Sequence, residues 1–195
     1  MTDPLEIAAT LLTLICVVLA VKRNLWQFPT GIAGTALGFF VFWHARLYSS
    51  AALQPVFIAV QIYGWWYWLR GEDQQRPRIK STSPAIVAGA CLVALGVAAA
   101  AAWALDTFTN ANMALADATI FALSIVAQVL LSRKRIENWP VWIVINAISV
   151  FVYASQALWL YTALYVFFFF NAFWGWWEWR KEMRGYSGAE RTNPA

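Results

Sequence analysis

Residues 64–68 read Gly-Trp-Trp-Tyr-Trp and residues 175–179 read Gly-Trp-Trp-Glu-Trp, and the shift of 111 that superposes them holds without a gap far toward the N-terminus. At that shift Pro29 meets Pro140, Ile32 meets Ile143, Ala36 meets Ala147, Phe40 meets Phe151, Leu47 meets Leu158, Ala52 meets Ala163 and Phe57 meets Phe168. The basic pair Lys22-Arg23 meets Arg133-Lys134. Self-similarity at one fixed offset predicts a chain built from two copies of one unit, and it outranks any local motif in reading the architecture.

Composition says where such a unit can exist. Hydrophobic residues make up 61% of the chain and charged residues 12%, against about a quarter charged in soluble domains. Charge-poor stretches run over 5–21, 26–43, 50–69, 84–104, 113–131, 139–156 and 160–179, each near the ~20 residues that cross a ~30 Å hydrocarbon core. The chain therefore reads as an all-α membrane protein with seven transmembrane helices. The first span is flanked by Asp3 and Glu6 rather than by basic residues and has a repeat partner at 116–132, so it reads as a retained span and not a secretory leader. Cys16 and Cys91 lie inside apolar stretches and read as two buried small side chains without a disulfide.

Orientation follows from the basic residues. Segments 22–25, 70–83, 132–138 and 180–195 share one side and hold two, four, three and four Lys or Arg, while the other side holds only Arg46. The positive-inside rule then puts the C-terminus in the cytoplasm and the N-terminus outside. The net charge of +4 reports this topology and implies no nucleic-acid role. Two units of three spans would be inverted if joined directly, because three is odd. The Ala- and Gly-rich stretch over 84–104, which has no repeat counterpart, is suited to be the extra span that restores parallel orientation, since small residues allow close helix packing. The expected order is 3+1+3: a first three-helix repeat over 1–71, a cytoplasmic loop and linker helix over 72–112, a second repeat over 113–182 and a cytoplasmic tail over 183–195. Parallel-repeat transporters bind substrate near the midplane where the repeats meet. Pro29 and Pro140 open the second span of each repeat, as hinges or as prolines tolerated in a first helical turn.

Polar residues within the spans fall on faces. Trp139, Trp142, Asn146, Ser149, Tyr153 and Gln156 are spaced 3, 4, 3, 4 and 3, one continuous helical stripe. Asp117, Phe121, Ser124 and Gln128 form a second, and Gln54, Phe57, Gln61 and Trp65 a third, while Asn171 stands in a run of Phe. Polar groups at membrane depth are costly and face a bundle interior, a partner or a water-filled path. Interhelical hydrogen bonding is the bland reading, strongest for Gln128 and Ser149. Aromatic planes interleaved with amides also suit a planar heterocycle joined to a sugar: Trp faces stack on a ring and attract an organic cation, and amides serve hydroxyls and a carboxamide. Asp117 reads equally as a counter-charge and as a helix-terminal residue. Trp65, Trp66, Trp68, Trp176, Trp177 and Trp179 cluster at the cytoplasmic ends and are expected to form an interfacial belt.

Enzyme chemistry finds little footing. The one His, His44, falls on an outer turn, and neither a Cys-His cluster, a nucleophile elbow nor paired intramembrane carboxylates occur, so no metal, cofactor or proton relay is expected. The Gly34 and Gly38 pair forms a G-x-x-x-G, which usually marks close helix packing.

The stretch ENWPVWIVINAISVFVYASQALW over 137–159, with LYSSAALQPVFIAVQIYGWWYW over 47–68, resembles the PnuC family of bacterial vitamin transporters, whose best-known substrate is nicotinamide riboside. The likeness runs from the second span through the seventh. It implies a 3+1+3 architecture similar to SWEET sugar transporters, set in the bacterial inner membrane. It further implies facilitated diffusion without ion coupling, with uptake made directional by a cytoplasmic vitamin kinase. By position, the family's W-x-x-W and following Asn fall on Trp139, Trp142 and Asn146, and its third-span glutamine on Gln54. Gln61 stands where some nicotinamide riboside carriers have Asn, and relatives move thiamine, riboflavin or deoxynucleosides. Gln61, Asn171, Asp117 and Tyr153 complete the expected substrate-binding set. A partner-dependent vitamin-binding subunit and a purely structural membrane protein are the competing classes, and homo-oligomerisation is open.

Overall fold

The structure, a computed structural model, describes residues 4–44, 48–70, 77–108, 114–155 and 159–192. They form α1 (Pro4–Val21), α2 (Gln27–His44), α3 (Tyr48–Arg70), α4 (Pro84–Phe108), α5 (Ala114–Ser132), α6 (Asn138–Ser155) and α7 (Trp159–Thr192). The seven apolar stretches are thus seven helices. Three of them, α1, α6 and α4 over Pro84–Trp103, are by length and composition alone apolar enough to cross a membrane. α7 continues past its apolar run to Thr192 and carries the basic stretch of the C-terminal segment with it.

Helix boundaries repeat at the sequence offset. α2 starts at Gln27 and α6 at Asn138, 111 positions apart. The turn that ends the first helix of each repeat recurs too. Arg23 has φ 53° and Lys134 φ 50°, and these are the non-glycine residues with positive φ among those described. In each case the next residue closes the helix from five positions on, Asn24 N–H donating to Leu19 C=O at 3.0 Å and Arg135 N–H to Leu130 C=O at 2.8 Å, a Schellman-type stop. The left-handed conformation costs an L-residue roughly 1–2 kcal/mol, and both copies accept it at a basic side chain. Beyond the turn, Gln27 N–H donates to Asn24 C=O and Phe28 N–H to Leu25 C=O, matched by Asn138 to Arg135 and Trp139 to Ile136. Pro29 and Pro140 are the third residues of α2 and α6, where a missing N–H belongs to the helix's unpaired first turn. Pro55, by contrast, lies inside α3 and removes an interior donor beside Gln54.

The chain divides into two compact units, Met1–Arg78 with Ser132–Lys134, and Ile79–Leu131 with Arg135–Ala195. In the first unit α2 packs on both α1 and α3. A Cβ on Gly34 would sit 3.3 Å from Leu12 Cβ and 3.4 Å from Ala9 O, so the first glycine of the G-x-x-x-G is where α1 closes on α2. Where α2 begins and α3 ends, Phe28 meets Trp68 edge-on, at 5.2 Å between ring centroids and 83°. Trp68 Nε1 donates to Ser132 O at 3.0 Å, Ser132 Oγ donates to Val60 O at 3.2 Å, and Lys134 Nζ sits 4.2 Å over the Trp68 ring.

In the second unit α6 packs on α7, and Trp139 meets Trp179 edge-on at 5.4 Å and 86°, the Phe28 and Trp68 arrangement repeated. A core of Leu123, Ala127, Val141 and Ile145 takes in Val87, Cys91 and Ala94 of α4. α4 buries one stripe, with Ala98 and Ala102 at its far end, and exposes Ile86, Leu92, Val93 and Val97. Its glycines Gly89 and Gly96 have nothing within 4 Å of a would-be Cβ, so alanines, not glycines, supply its packed face. The segment before α4 is strapped to the start of α6. Thr82 N–H and Ser81 Oγ donate to Glu137 Oε1 at 2.9 and 2.5 Å, and Ile136 N–H donates to Lys80 O at 3.1 Å. Both cysteines are free thiols.

Candidate functional site

α6 turns its polar stripe inward. Asn146 and Ser149 are buried and Trp142 and Tyr153 half-buried, whereas Val144 and Phe151 on the far side are 52% and 72% exposed. The 100° step per residue leaves the apolar side for lipid. Ser149 Oγ donates to Ile145 O at 2.9 Å and Ser124 Oγ to Ile120 O at 2.7 Å, so both hydroxyls donate within their own helices. Trp142 packs against the core of Leu123, Ala127, Val141 and Ile145. Tyr153 stacks on Tyr161 at 5.5 Å and 27° and leans on Tyr165 at 5.1 Å, a tyrosine group toward the far end of α6. Asn171, on α7, is buried.

Trp139 is 3% exposed. Gly175 lies under its ring, leaving no room for a Cβ, and Trp179 covers its edge. Its Nε1, with Oδ1 of the adjacent Asn138 and Nε2 of the repeat-equivalent Gln27, is buried without a hydrogen-bond partner among the described residues. A buried donor or acceptor left unpaired costs roughly 1–3 kcal/mol, so these atoms are available to a ligand or water. Asp117 lies on α5, and its side chain, like all of Gln156, falls outside the described residues.

On α3 the stripe of Gln54, Phe57, Gln61 and Trp65 is buried to half-buried, while Val56, Ile62 and Leu69 are exposed. Gln61 Nε2 donates to Thr35 Oγ1 of α2 at 3.1 Å. Its Oε1 lies where a Cβ on Gly31 would be, with Cys16 Sγ 2.8 Å from that point on the other side. Thr35 and Gly31 were not among the residues expected from the sequence. The offset of 111 was the available signal, because they are the counterparts of Asn146 and Trp142.

The expected tryptophan belt is corrected. Trp66 and Trp177 are 51% and 61% exposed, with Arg70 and Lys181 over their rings at 5.7 and 5.6 Å, as an interfacial belt requires. Trp68 and Trp179 are 2% and 0% exposed. Two residues on a helix lie about 200° apart, so a belt at position 66 puts position 68 in the core. Among the described residues no group of His, Cys, Asp and Glu could hold a metal ion, and His44 ends α2 in an exposed position.

Residues 3–181 match the family model described as nicotinamide mononucleotide transporter. The chain belongs to that family. It is a multi-pass membrane protein of a transporter family. Among its relatives is the nicotinamide riboside transporter PnuC of Escherichia coli strain K12, 27% identical over 86% of this chain and 81% of the relative. The riboflavin/roseoflavin transporter RibM of Streptomyces davaonensis is 29% identical over 89% and 83%. The PnuC of Neisseria mucosa is 25% identical over 90% and 71%. The fold is shared with the crystal structure of the vitamin B3 transporter PnuC, at TM-score 0.74 and 24% identity over 92% of this chain and 82% of that one.

Proposed function

We propose that the protein carries nicotinamide riboside across the bacterial cytoplasmic membrane by facilitated diffusion with alternating access. The observation that carries this reading is the family match along residues 3–181, which takes in both copies of the repeat. Two relatives bear the name nicotinamide riboside transporter. The 3+1+3 order with N-terminus outside and C-terminus in the cytoplasm, the boundaries at 71, 112 and 182, and trapping by a cytoplasmic kinase belong to the same proposal. The recurrence of helix starts, turns and the edge-on aromatic pair at 111 supports the parallel repeat, and the lopsided count of basic residues supports the orientation.

In this proposal Trp142 stacks on the nicotinamide ring and favours its positive charge. Trp139 completes the aromatic pair with its unpaired indole N–H, and Asn146, Asn171, Gln54 and Gln61 serve the carboxamide and ribose. Asp117 acts as counter-charge, and the Tyr153 group lies along the approach. The inward stripe of α6 supports the assignment. A second reading, riboflavin, is favoured by the RibM relative. Calorimetric titration of the detergent-purified protein with nicotinamide riboside, thiamine, riboflavin and a deoxynucleoside decides between them. Selective binding of nicotinamide riboside is expected. Selective binding of another vitamin moves the substrate and leaves the transporter reading intact.

A further inference from the structure

We propose that Gly31 and Thr35 are specificity-determining positions of the first repeat, holding Gln61 in the one orientation in which its amide can serve the ligand. This rests on the transport of nicotinamide riboside as the function. Gln61 is 7% exposed, so a mis-set amide would be a buried polar group without water to correct it. Two features fix it. Thr35 Oγ1 accepts one Nε2 hydrogen at 3.1 Å, which anchors the end of the side chain. The missing side chain of Gly31 makes the space that Oε1 occupies, which selects the rotamer. The second N–H of Gln61 is left as a donor, suited to a ribose hydroxyl or carboxamide oxygen atom.

The two repeats have exchanged bulk at these positions. Gly31 on α2 goes with Gln61 on α3, whereas their counterparts 111 residues on are Trp142 on α6 and Ala172 on α7. A large residue on the second helix of the repeat accompanies a small one on the third, and the reverse. Thr35 likewise answers to Asn146. One repeat thus presents an aromatic plane and an amide from a single helix, and the other a hydroxyl and an amide assembled from two.

Purified full-length protein and the variants Thr35→Val, Thr35→Ser, Gln61→Ala and the double variant Thr35→Val with Gln61→Ala are titrated with nicotinamide riboside, and their melting temperatures are compared. Thr35→Val keeps the shape and loses the hydroxyl, and is expected to weaken binding about five- to tenfold in a protein that still folds and melts cooperatively, at a somewhat lower temperature. Thr35→Ser restores binding to within about twofold of the parent. In the Gln61→Ala background Thr35→Val is expected to add nothing, since it acts through that amide. Gly31→Ala gives the Gln61→Ala phenotype, because the far end of Gln61 is displaced. Undiminished binding by Thr35→Val, or losses that multiply in the double variant, overturn the inference. If the parent protein binds a different vitamin instead, the assignment of nicotinamide riboside as substrate falls, and the same cycle with that vitamin decides whether Gly31 and Thr35 set its recognition.

Discussion

Asn146 joins burial to amide chemistry at a position where a lipid-facing residue would be apolar. At 4% exposure its side chain has been desolvated at a cost that a bound carboxamide or hydroxyl can return. Asn146→Ala is expected to raise the dissociation constant for nicotinamide riboside about tenfold, a loss of about 1.4 kcal/mol, read by calorimetry. Trp142→Ala, which removes a stacking plane worth about 1–3 kcal/mol, is expected to lose about tenfold or more in the same assay. Trp68 contributes to stability instead, because its indole N–H donates to Ser132 O at 3.0 Å in a fully packed setting. Trp68→Phe leaves that carbonyl without its donor and should lower the melting temperature of the purified protein, at a cost of about 1–3 kcal/mol. The sequence did not separate Trp68 from its exposed neighbours, because four aromatic residues in a row mask the helical angle between them. Gly31 and Thr35 were hidden for another reason, since neither resembles its counterpart Trp142 or Asn146 in chemistry and only the offset of 111 marks them.

At the level of elements, helix limits were legible because a bilayer enforces them. Each apolar run predicted from charge spacing is a helix, with ends within a few residues except at the C-terminal end of α7, which runs on from the predicted 179 to Thr192. The straps between elements were not legible. Glu137 accepts from Thr82 N–H and Ser81 Oγ, and its counterpart 111 residues earlier is Trp26, 67% exposed, so the repeat itself gave no warning of the strap. Glu137→Ala should accelerate amide hydrogen exchange at Thr82 while the exchange of α6 beyond its first turn is unchanged. Exchange that is unaltered at Thr82 would mean the strap does not hold that segment. The third helix of each repeat crosses an aromatic residue at a glycine. A Cβ on Gly64 would fall 2.8 Å from Phe28 Cε1 and 2.6 Å from Ser132 Oγ, and one on Gly175 would enter the Trp139 ring. Gly175→Val is therefore expected to destabilise the protein by about 1–3 kcal/mol through overpacking, read as a lower melting temperature.

For the whole molecule, duplication is the organising proposal. Two copies of a three-helix unit with matching turns, and a small-residue helix between them in sequence, form the plan of the proposed carrier that rocks about a central substrate. Few ionisable residues lie within the spans, which argues against coupling to sodium or protons. The substrate was not legible at this scale, since relatives at similar identity bear the names of nicotinamide riboside and riboflavin transporters. The most direct test is flux of radiolabelled nicotinamide riboside into liposomes containing only this purified protein, with no ion gradient and no kinase. Uptake is predicted to run to equal concentrations inside and outside, unaffected by ionophores, and to accumulate above that level only when a riboside kinase and ATP are enclosed. Uptake no faster than into protein-free liposomes, or accumulation driven by an imposed ion gradient alone, would contradict the account.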